Sequence, residues 1–459
     1  MYTIHFENPI HVHFIGIGGI SMSGLAEILL KEGFTVSGSD MNESALTKKL
    51  ISMGAEINYP QKADNIKEGI DLVVYTAAIH EDNPEYAAAS AAGLPMMPRA
   101  ELLGQIMHNY ANSIGVSGTH GKTTTTSMLS HILIAAGLDP TISVGGMLKS
   151  IQGNIRVGSS NTFLAEACEY TNSFLHLFPR YTIILNIEED HLDFFADLND
   201  IRHSFREFAS QTSERGCVII NGEIDHYEEI TENTKAQVIT FGLNPESLFH
   251  PGEISFDEKA CCYFNVYKGK ELLGQLHLGV PGTHNVANAL AAVALADDLK
   301  IPFATYAGAL ASFHGTDRRF EYKGSFNGVT VIDDYAHHPS EIAATLDAAK
   351  KYPHNRLIVA FQSHTYTRTK SLLPDFGRSL AAADEVVLAP IFAAREKDTL
   401  GVSAESIKEE IEKYGTKALA FPDFDSIEEY LFENCKAGDL LITMGAGNLY
   451  IVGEKLVCR

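Results

Sequence analysis

Gly118-Thr119-His120-Gly121-Lys122-Thr123-Thr124 has the residue types and spacing of a phosphate-holding turn. Backbone N–H groups of such a turn can wrap phosphate oxygens. A lysine can reach the terminal phosphates, and a threonine hydroxyl can take a place on Mg²⁺. The strict P-loop pattern has a glycine at position 116; this chain has Val116, with Gly115 one position early. The loop is therefore a variant, and a GKT turn without ligand is the plain alternative. A second glycine turn, Gly16-Ile17-Gly18-Gly19-Ile20-Ser21, approaches the dinucleotide fingerprint, with Ser21 in place of the third glycine. Asp40 stands where an acidic side chain would meet a ribose hydroxyl. Alone, that turn fits an NAD site or a bare strand-to-helix connection.

Magnesium prefers oxygen ligands, and two later stretches offer them at strand exits. TFLAEACEYTNSFL leads to Glu166 and Glu169, and TIILNIEEDHLDFF to Asn186, Asp190 and His191. Open α/β sheets bind ligands at that edge. Each residue alone also fits a solvated or hydrogen-bonded loop; their recurrence in one segment favours the functional reading. GVPGTHNVANALAAVAL puts His284, Asn285 and Asn288 at a helix start. There amides can pair with a base edge and a ring can stack on one, or Asn285 can cap the helix. DRRFEY, VIDDYAHHPSEI, FQSHTYTRT and AAREKDTLG collect Arg318, Arg319, Asp333, Asp334, Tyr335, His337, His338, His364, Arg368 and Arg395 near strand ends and loops. Such arginines fit recognition of a carboxylate or phosphate; singly, each also fits a surface salt bridge.

These groups need a scaffold. IHVHFIGIGG reads as a strand entering a glycine turn, ISMSGLAEILLKEG as a helix stopped at Gly33, and FTVSGSD and IDLVVYTAAI as further strands. That alternation predicts a parallel, helix-covered sheet. A fresh strand and loop at SIGVSG place a boundary near residue 110. A second boundary falls near HGTDRRFEY, where an alanine-rich helix gives way to polar sequence and then the strand VTVIDDY. The tail alternates again. With 459 residues, the chain is long enough for about three domains.

The net charge is −23, from 35 basic and 58 acidic residues. Such a surface repels nucleic acid and anionic membrane. It also repels nucleotides, so a phosphate site must be built locally from backbone amides, a few cations and a divalent metal. The residues Met1 to Pro9 lack a cationic lead, and the longest uncharged run, Leu272 to Ala296, is too polar to span a bilayer. The expectation is a soluble, cytoplasmic chain. Cys168, Cys217, Cys261, Cys262, Cys435 and Cys458 show no CxxC spacing, which argues against zinc, a redox pair or a disulfide framework.

Read in order, GIGGISMSG, GTHGKTTTT, EACEYTNSFL, NIEEDHLDFF, GTHNVANALAA, RRFE, DDYAHHPSEI, FQSHTYTRT and AAREK resemble the Mur ligases of bacterial cell-wall synthesis, from about residue 10 to about residue 448. The resemblance implies an α/β fold of three domains. They are a Rossmann-like UDP-sugar domain over 1–110, a central P-loop ATPase domain with a mostly parallel sheet over 111–315, and a Rossmann-like amino-acid domain over 316–459. It implies that the first glycine turn holds a UDP diphosphate, with Gly16, Gly18, Gly19, Ser21, Asp40, Thr76 and Arg99 as candidate residues. ATP would meet Gly118, Thr119, His120, Gly121, Lys122, Thr123 and Thr124, with Lys122 on the γ-phosphate. Thr123, Glu166 and His191 would serve Mg²⁺ (or Mn²⁺). Asn285 and Asn288 would lie near adenine, and Arg319 and Asp334 would touch the nucleotide. Tyr335, His337 and Arg368 would sit by the incoming amino acid, and Lys122, Glu166, His191, His337 and Arg368 form the catalytic set.

Family members that add later residues use a carbamylated lysine after NxxxDH. No lysine lies between Lys149 and Lys235 here, which fits the alanine-adding branch. FQSHTYTRT departs from many relatives at Ser363, where they carry proline, and from some at Thr365, where they carry arginine. The implied reaction is ATP-dependent joining of L-alanine to UDP-N-acetylmuramate through an acyl phosphate. The implied partners are small molecules only, and the chain is a monomer or homodimer. The rivals are a recycling ligase that joins a whole tripeptide to the same sugar, an NAD-binding oxidoreductase, and a non-catalytic nucleotide sensor.

Overall fold

The computed structural model describes residues 3–459 except Ala77, Gln152 and Arg395, and of Lys149 it describes the backbone alone. Arg395, grouped above with the cations of the last segment, thus lies outside the described residues. By internal contacts the chain forms two compact units. One comprises Met1–Glu188, Leu198–Thr240 and Ala294–Leu299; the other comprises Glu189–Asp197, Phe241–Val293 and Lys300–Arg459.

The first unit opens with five parallel strands: β1 (His11–Ile15), β2 (Thr35–Ser39), β3 (Glu56–Asn58), β4 (Leu72–Tyr75) and β5 (Met96–Pro98). Their order is β3-β2-β1-β4-β5. Val12, Phe14, Ile15 and Leu72 to Val74 are buried, the near-continuous apolar runs expected of strands covered on both faces. The covering helices are α1 (Ile20–Lys31), α2 (Ala45–Ser52), α3 (Pro84–Ala91) and α4 (Arg99–Met107). The direction of winding reverses at β1, so the turn after β1 opens at the switch point where such sheets receive ligands.

The same unit continues with β6 (Asn112–Ser117), β7 (Thr141–Leu148), β8 (Gly153–Arg156), β9 (Thr162–Glu166), β10 (Tyr181–Ile184), β11 (Cys217–Asn221) and β12 (Gln237–Phe241), in the order β12-β11-β10-β6-β9-β7-β8. β6 pairs in parallel with both β9 and β10, and β8 pairs antiparallel with β7. Helix α5 (Lys122–Ala135) follows β6; α6 (Leu198–Ser210) and α7 (Tyr227–Thr231) come later. The two sheets are locked by close backbone approach. A Cβ on Gly24 would collide with Ile155, and one on Gly104 with the carbonyl of His176.

The second unit holds the antiparallel strands β13 (Phe249–Pro251), β14 (Ser255–Phe256), β15 (Cys261–Lys268) and β16 (Glu271–Pro281), with the helix α8 (His284–Asp298) leaving its end and α9 (Phe303–Ser312) following. Its main sheet comprises β17 (Glu321–Phe326), β18 (Val329–Asp334), β19 (Leu357–Phe361), β20 (Glu385–Leu388), β21 (Lys417–Ala420) and β22 (Leu440–Met444). Their order is β17-β18-β22-β19-β20-β21, and all are parallel except β17. Along β19, Leu357, Val359 and Phe361 enter one core, and Ile358 and Ala360 the other. That alternation is how a parallel strand serves helices on both faces. Helices α10 (Pro339–Lys351), α11 (Tyr366–Ser371) and α12 (Leu373–Leu380) connect these strands. Among the described residues, no helix is long and apolar enough to cross a membrane.

Candidate active site

The phosphate turn sits between β6 and α5. Gly118 has φ +137° and Gly121, the residue before α5, has φ +83°. Both are conformations that a side chain resists, so the glycine spacing here is set by the backbone path. Gly115 lies inside β6, where a Cβ would press on Phe208; it serves packing, and the ligand loop begins three residues later. Asn186, at the exit of β10, clamps the loop. Its Oδ1 accepts from the His120 N–H at 2.7 Å, and its Nδ2 donates to the His120 carbonyl at 3.1 Å. Thr119 adds a bond from its N–H to the Asn186 carbonyl at 3.2 Å. Sequence alone gave Asn186 only a position at a strand exit; its actual work is to fix the loop.

Lys122 Nζ donates to the carbonyls of Gly118 and Thr119 and to Glu169, at 3.1 and 2.8 Å from its two oxygens. Burial alone would lower the lysine pKa, but the Glu169 carboxylate outweighs it and the net shift is upward. Lys122 is therefore cationic throughout the neutral range. Thr123 and Thr124 occupy the first turn of α5, and Thr123 Oγ1 donates to Glu166 Oε2 at 3.3 Å. Glu166 Oε1 accepts from the N–H of Gly145 at 2.6 Å. A hydroxyl and a carboxylate side by side beneath a phosphate turn are the hard oxygen donors that Mg²⁺ takes.

The first glycine turn is assembled just as tightly. Ser39, at the end of β2, accepts from the N–H groups of Gly16 and Ile17, both at 2.9 Å. Asp40 Oδ2 accepts from the Gly18 N–H at 2.8 Å and Oδ1 from the Met41 N–H at 2.8 Å. The carboxylate placed by sequence at a ribose is thus braced against the turn itself. Gly16 faces Thr76, whose methyl would lie 3.4 Å from a Cβ there. Arg99, first residue of α4, donates from Nη1 to Ser21 Oγ at 3.3 Å. Gly19 precedes α1 as its cap. All seven candidates for the sugar nucleotide, Gly16, Gly18, Gly19, Ser21, Asp40, Thr76 and Arg99, therefore lie at the ends of β1, β2 and β4 or on the helices α1 and α4 that start after β1 and β5.

The second unit gathers the other set. Asp190 Oδ1 accepts from the His191 N–H at 2.7 Å and from Arg368 Nε and Nη2 at 3.2 and 2.8 Å. Burial favours the neutral acid, but the Arg368 guanidinium outweighs it and holds the Asp190 carboxyl well below its usual range. Arg368 Nη1 lies 3.4 Å from His364 Nδ1, and the His364 ring stacks on Phe392 and lies 6.0 Å from that of His337. His337 Nδ1 is 3.0 Å from the Tyr335 carbonyl, and burial pushes its pKa down to about 4. The Tyr335 ring carries the guanidinium groups of Arg318 and Arg319 at 4.9 and 5.1 Å. Thr365, a β-branched residue at φ +66°, caps α11 by accepting from the Arg368 N–H. Such strain costs about 1–3 kcal/mol, and here it fixes the turn from which Arg368 projects.

Two groups have roles other than a reading of their types predicts. Asp334 accepts from the N–H groups of Ala336 and Phe320, both at 2.7 Å, and from Thr345 Oγ1 at 3.2 Å. Burial raises its pKa to about 6. It braces the turn that displays Arg319. Asn285 lies inside α8 rather than before it, so it is not the helix cap; its Nδ2 donates to the Pro281 carbonyl and its Oδ1 accepts from Asn288 at 3.0 Å. Beside them His284, an exposed residue, opens α8. Glu341 was missed. It accepts from the N–H groups of His337 and His338 at 3.0 and 3.3 Å and lies 3.8 Å from Arg319. Its signal was present: proline at the first helical position and glutamate two residues later mark a capped start at His338.

The candidates for the sugar nucleotide, the phosphate turn and Glu166 thus belong to the first unit. His191, Asn285, Asn288, Arg319, Asp334, Tyr335, His337 and Arg368 belong to the second.

Comparison with known proteins matches three consecutive domains: Mur ligase family, catalytic domain, over residues 11–111; Mur ligase middle domain over 116–296; and Mur ligase, glutamate ligase domain, over 318–447. The chain is 61% identical over 457 residues to the UDP-N-acetylmuramate--L-alanine ligase of Agathobacter rectalis, covering 100% of both. It is 50% identical to the ligase of the same name from Caldanaerobacter subterraneus subsp. tengcongensis, covering 99% of this chain and 98% of that one. Among solved structures, the UDP-N-acetylmuramate-alanine ligase of Thermotoga maritima superposes with a TM-score of 0.80 at 30% identity, covering 98% of this chain and 99% of the other. A murein peptide ligase of Psychrobacter arcticus follows the same fold with a TM-score of 0.69 at 26% identity, covering 98% of each.

Proposed function

Because the chain belongs to the Mur ligase family, we propose that it joins L-alanine to the carboxylate of UDP-N-acetylmuramate while ATP is cleaved to ADP and phosphate. The observation that carries this reading is end-to-end identity of 61% to a ligase named for that reaction. A carboxylate is a poor acylating agent, because its leaving group would be oxide. Attack of a carboxylate oxygen on the γ-phosphorus makes that oxygen the bridge of an acyl phosphate, a mixed anhydride, and releases ADP. The amine then attacks the acyl carbon, phosphate leaves, and the amide forms.

Both partners in the first step are anions inside a chain of net charge −23. The Lys122 cation and the N-terminus of α5 offset that repulsion, since phosphoryl transfer is helped mainly by positioning and charge stabilisation. Thr123 and Glu166 would hold Mg²⁺, which would neutralise further phosphate charge; His191 is a further candidate ligand. We assign the first glycine turn to the UDP diphosphate and the seven residues around it to the UDP-sugar, Asn285 and Asn288 to adenine, and Arg319, braced by Asp334, to the nucleotide phosphates. Tyr335, His337 and Arg368 are assigned to alanine. With its pKa near 4, His337 would be protonated only about one part in a thousand at pH 7, a weak sink for the amine proton. It is better suited to accept a hydrogen bond and aim the amine. We place the domain limits at 1–110, 111–315 and 316–459 and the reaction in the cytoplasm, with a monomer or homodimer as the working form.

The deciding experiment measures phosphate release with UDP-N-acetylmuramate, ATP and Mg²⁺ while the acceptor is varied. Release with L-alanine, and none with L-alanyl-γ-D-glutamyl-meso-diaminopimelate, is expected. The reverse pattern would assign the chain to tripeptide recycling, and release with neither would remove the ligase reading. The Thr123–Glu166 pair gives a second expected result. Glu166→Gln keeps the shape but removes the charge, so half-maximal activity should need about tenfold more Mg²⁺. An unchanged magnesium titration would make Glu166 a brace for the Gly145 amide only.

A further inference from the structure

Glu85 is fully buried, yet it is a carboxylate on a helix start where glutamate normally faces water. Taking such a charge out of water costs several kcal/mol unless donors surround it. Three other elements supply them. Ser39 Oγ donates to Oε2 from the end of β2, and Asn65 Nδ2 donates to Oε1 from the turn after β3. From β1, His13 Nε2 stands 3.8 Å from Oε2, while its Nδ1 lies 2.9 Å from Ser37 Oγ. Burial favours the neutral acid, but these groups together hold the Glu85 carboxyl below its usual range.

The place where this cluster grips is what matters. Ser39 is the residue whose carbonyl accepts from the Gly16 and Ile17 N–H groups, and its neighbour Asp40 caps the Gly18 N–H. Those bonds fix the path of the glycine turn assigned above to the diphosphate. A shift of Ser39 and its neighbour Asp40 would move that turn as a unit. We propose that Glu85 is a positioning residue for the sugar nucleotide: through Ser39 it sets the geometry of the glycine turn, without itself touching the ligand. The proposal rests on the assignment of that turn to the UDP diphosphate.

The test compares Ser39→Ala and Glu85→Gln with the parent enzyme by steady-state kinetics and by calorimetric titration with UDP-N-acetylmuramate. A positioning role raises the KM for the sugar nucleotide and weakens its binding about tenfold, while KM for ATP and for L-alanine stays within about twofold. A purely structural role lowers thermal stability and the active fraction but leaves the KM for the sugar nucleotide unchanged in the folded protein; that result overturns the proposal. Should Glu85→Gln fail to fold, Ser39→Ala, which deletes one hydroxyl, decides alone. If the parent enzyme binds no UDP-N-acetylmuramate, the assignment of the turn has failed. If the parent binds and both variants bind equally well, the role of Glu85 has failed.

Discussion

Lys122→Ala is expected to lower turnover at least ~100-fold, the scale of losing one preorganised charge-stabilising group. The argument is electrostatic. The chain brings a carboxylate to a triphosphate, and among the described residues of the phosphate turn Lys122 is the cation. Its ammonium is held by two loop carbonyls and both oxygens of Glu169, so it meets an incoming phosphate without searching for a rotamer. The shift of its pKa above the ordinary lysine value keeps it charged at every pH where the enzyme would be assayed. The substitution also takes the lysine partner from Glu169, whose side chain is 3% exposed. Thermal stability must therefore be measured beside turnover, and the double variant Lys122→Ala/Glu169→Gln separates the two effects. It should regain stability without regaining activity. Turnover within about tenfold of the parent in either variant would remove Lys122 from the catalytic set.

The elements that carry this chemistry were legible because two kinds of signal agree. In GVSGTHGKTTTT the apolar run, the glycines and the threonine-rich start of a helix each specify one part of a strand–turn–helix, and β6 and α5 follow that pattern. The same holds for β1, the turn at Gly16 and α1. What the sequence could not reveal is which polar group binds the protein and which is left for a ligand. Asp40 has the position of a ribose ligand, but its oxygens grip the Gly18 and Met41 amides. Asp334 has the place of a nucleotide contact, but it holds the Ala336 and Phe320 amides. Asn186 was one polar residue among several at a strand exit, and only the fold brings it opposite His120, 66 positions away in sequence. Residue type and local pattern fix the backbone path; pairing across such distances depends on which strands become neighbours, and β10 beside β6 is not written in either strand.

Arg368→Met gives the second large effect, in stability as well as in activity. Asp190 and Arg368 are 9% and 11% exposed and share two hydrogen bonds. Removing one member of a buried pair leaves the other uncompensated, at a cost of about 3–5 kcal/mol. The pH dependence follows from the sign of the shift. In the parent, the Asp190 carboxyl ionises below its unfolded value of about 4. The stabilisation is thus complete above about pH 4 and fades as the pH falls below it. In Arg368→Met the same carboxyl is buried without its cation, its pKa rises, and the loss is largest near pH 7. As Asp190 takes up a proton in acid, the gap between variant and parent should narrow. Two neighbours tilt the baseline in opposite directions. His337, lowered to about 4, makes the folded state less stable as pH falls from about 6.5 toward 4. Asp334, raised to about 6, makes it less stable as pH rises from about 4 through 6. The comparison is therefore made as a difference between variant and parent at each pH, by denaturant unfolding, which removes the Asp334 contribution; the Arg368 charge helps to lower the His337 pKa, so its loss lets His337 take up a proton more readily and adds to the narrowing in acid. The double variant Asp190→Leu/Arg368→Met replaces the pair by apolar groups and should recover most of the lost stability. It should not recover the alanine KM, because Arg368 is also assigned to the incoming alanine. A deficit that stays constant from pH 7 to pH 4 would mean that Asp190 does not depend on Arg368 for its charge, and recovery of the alanine KM in the double variant would confine Arg368 to holding the fold.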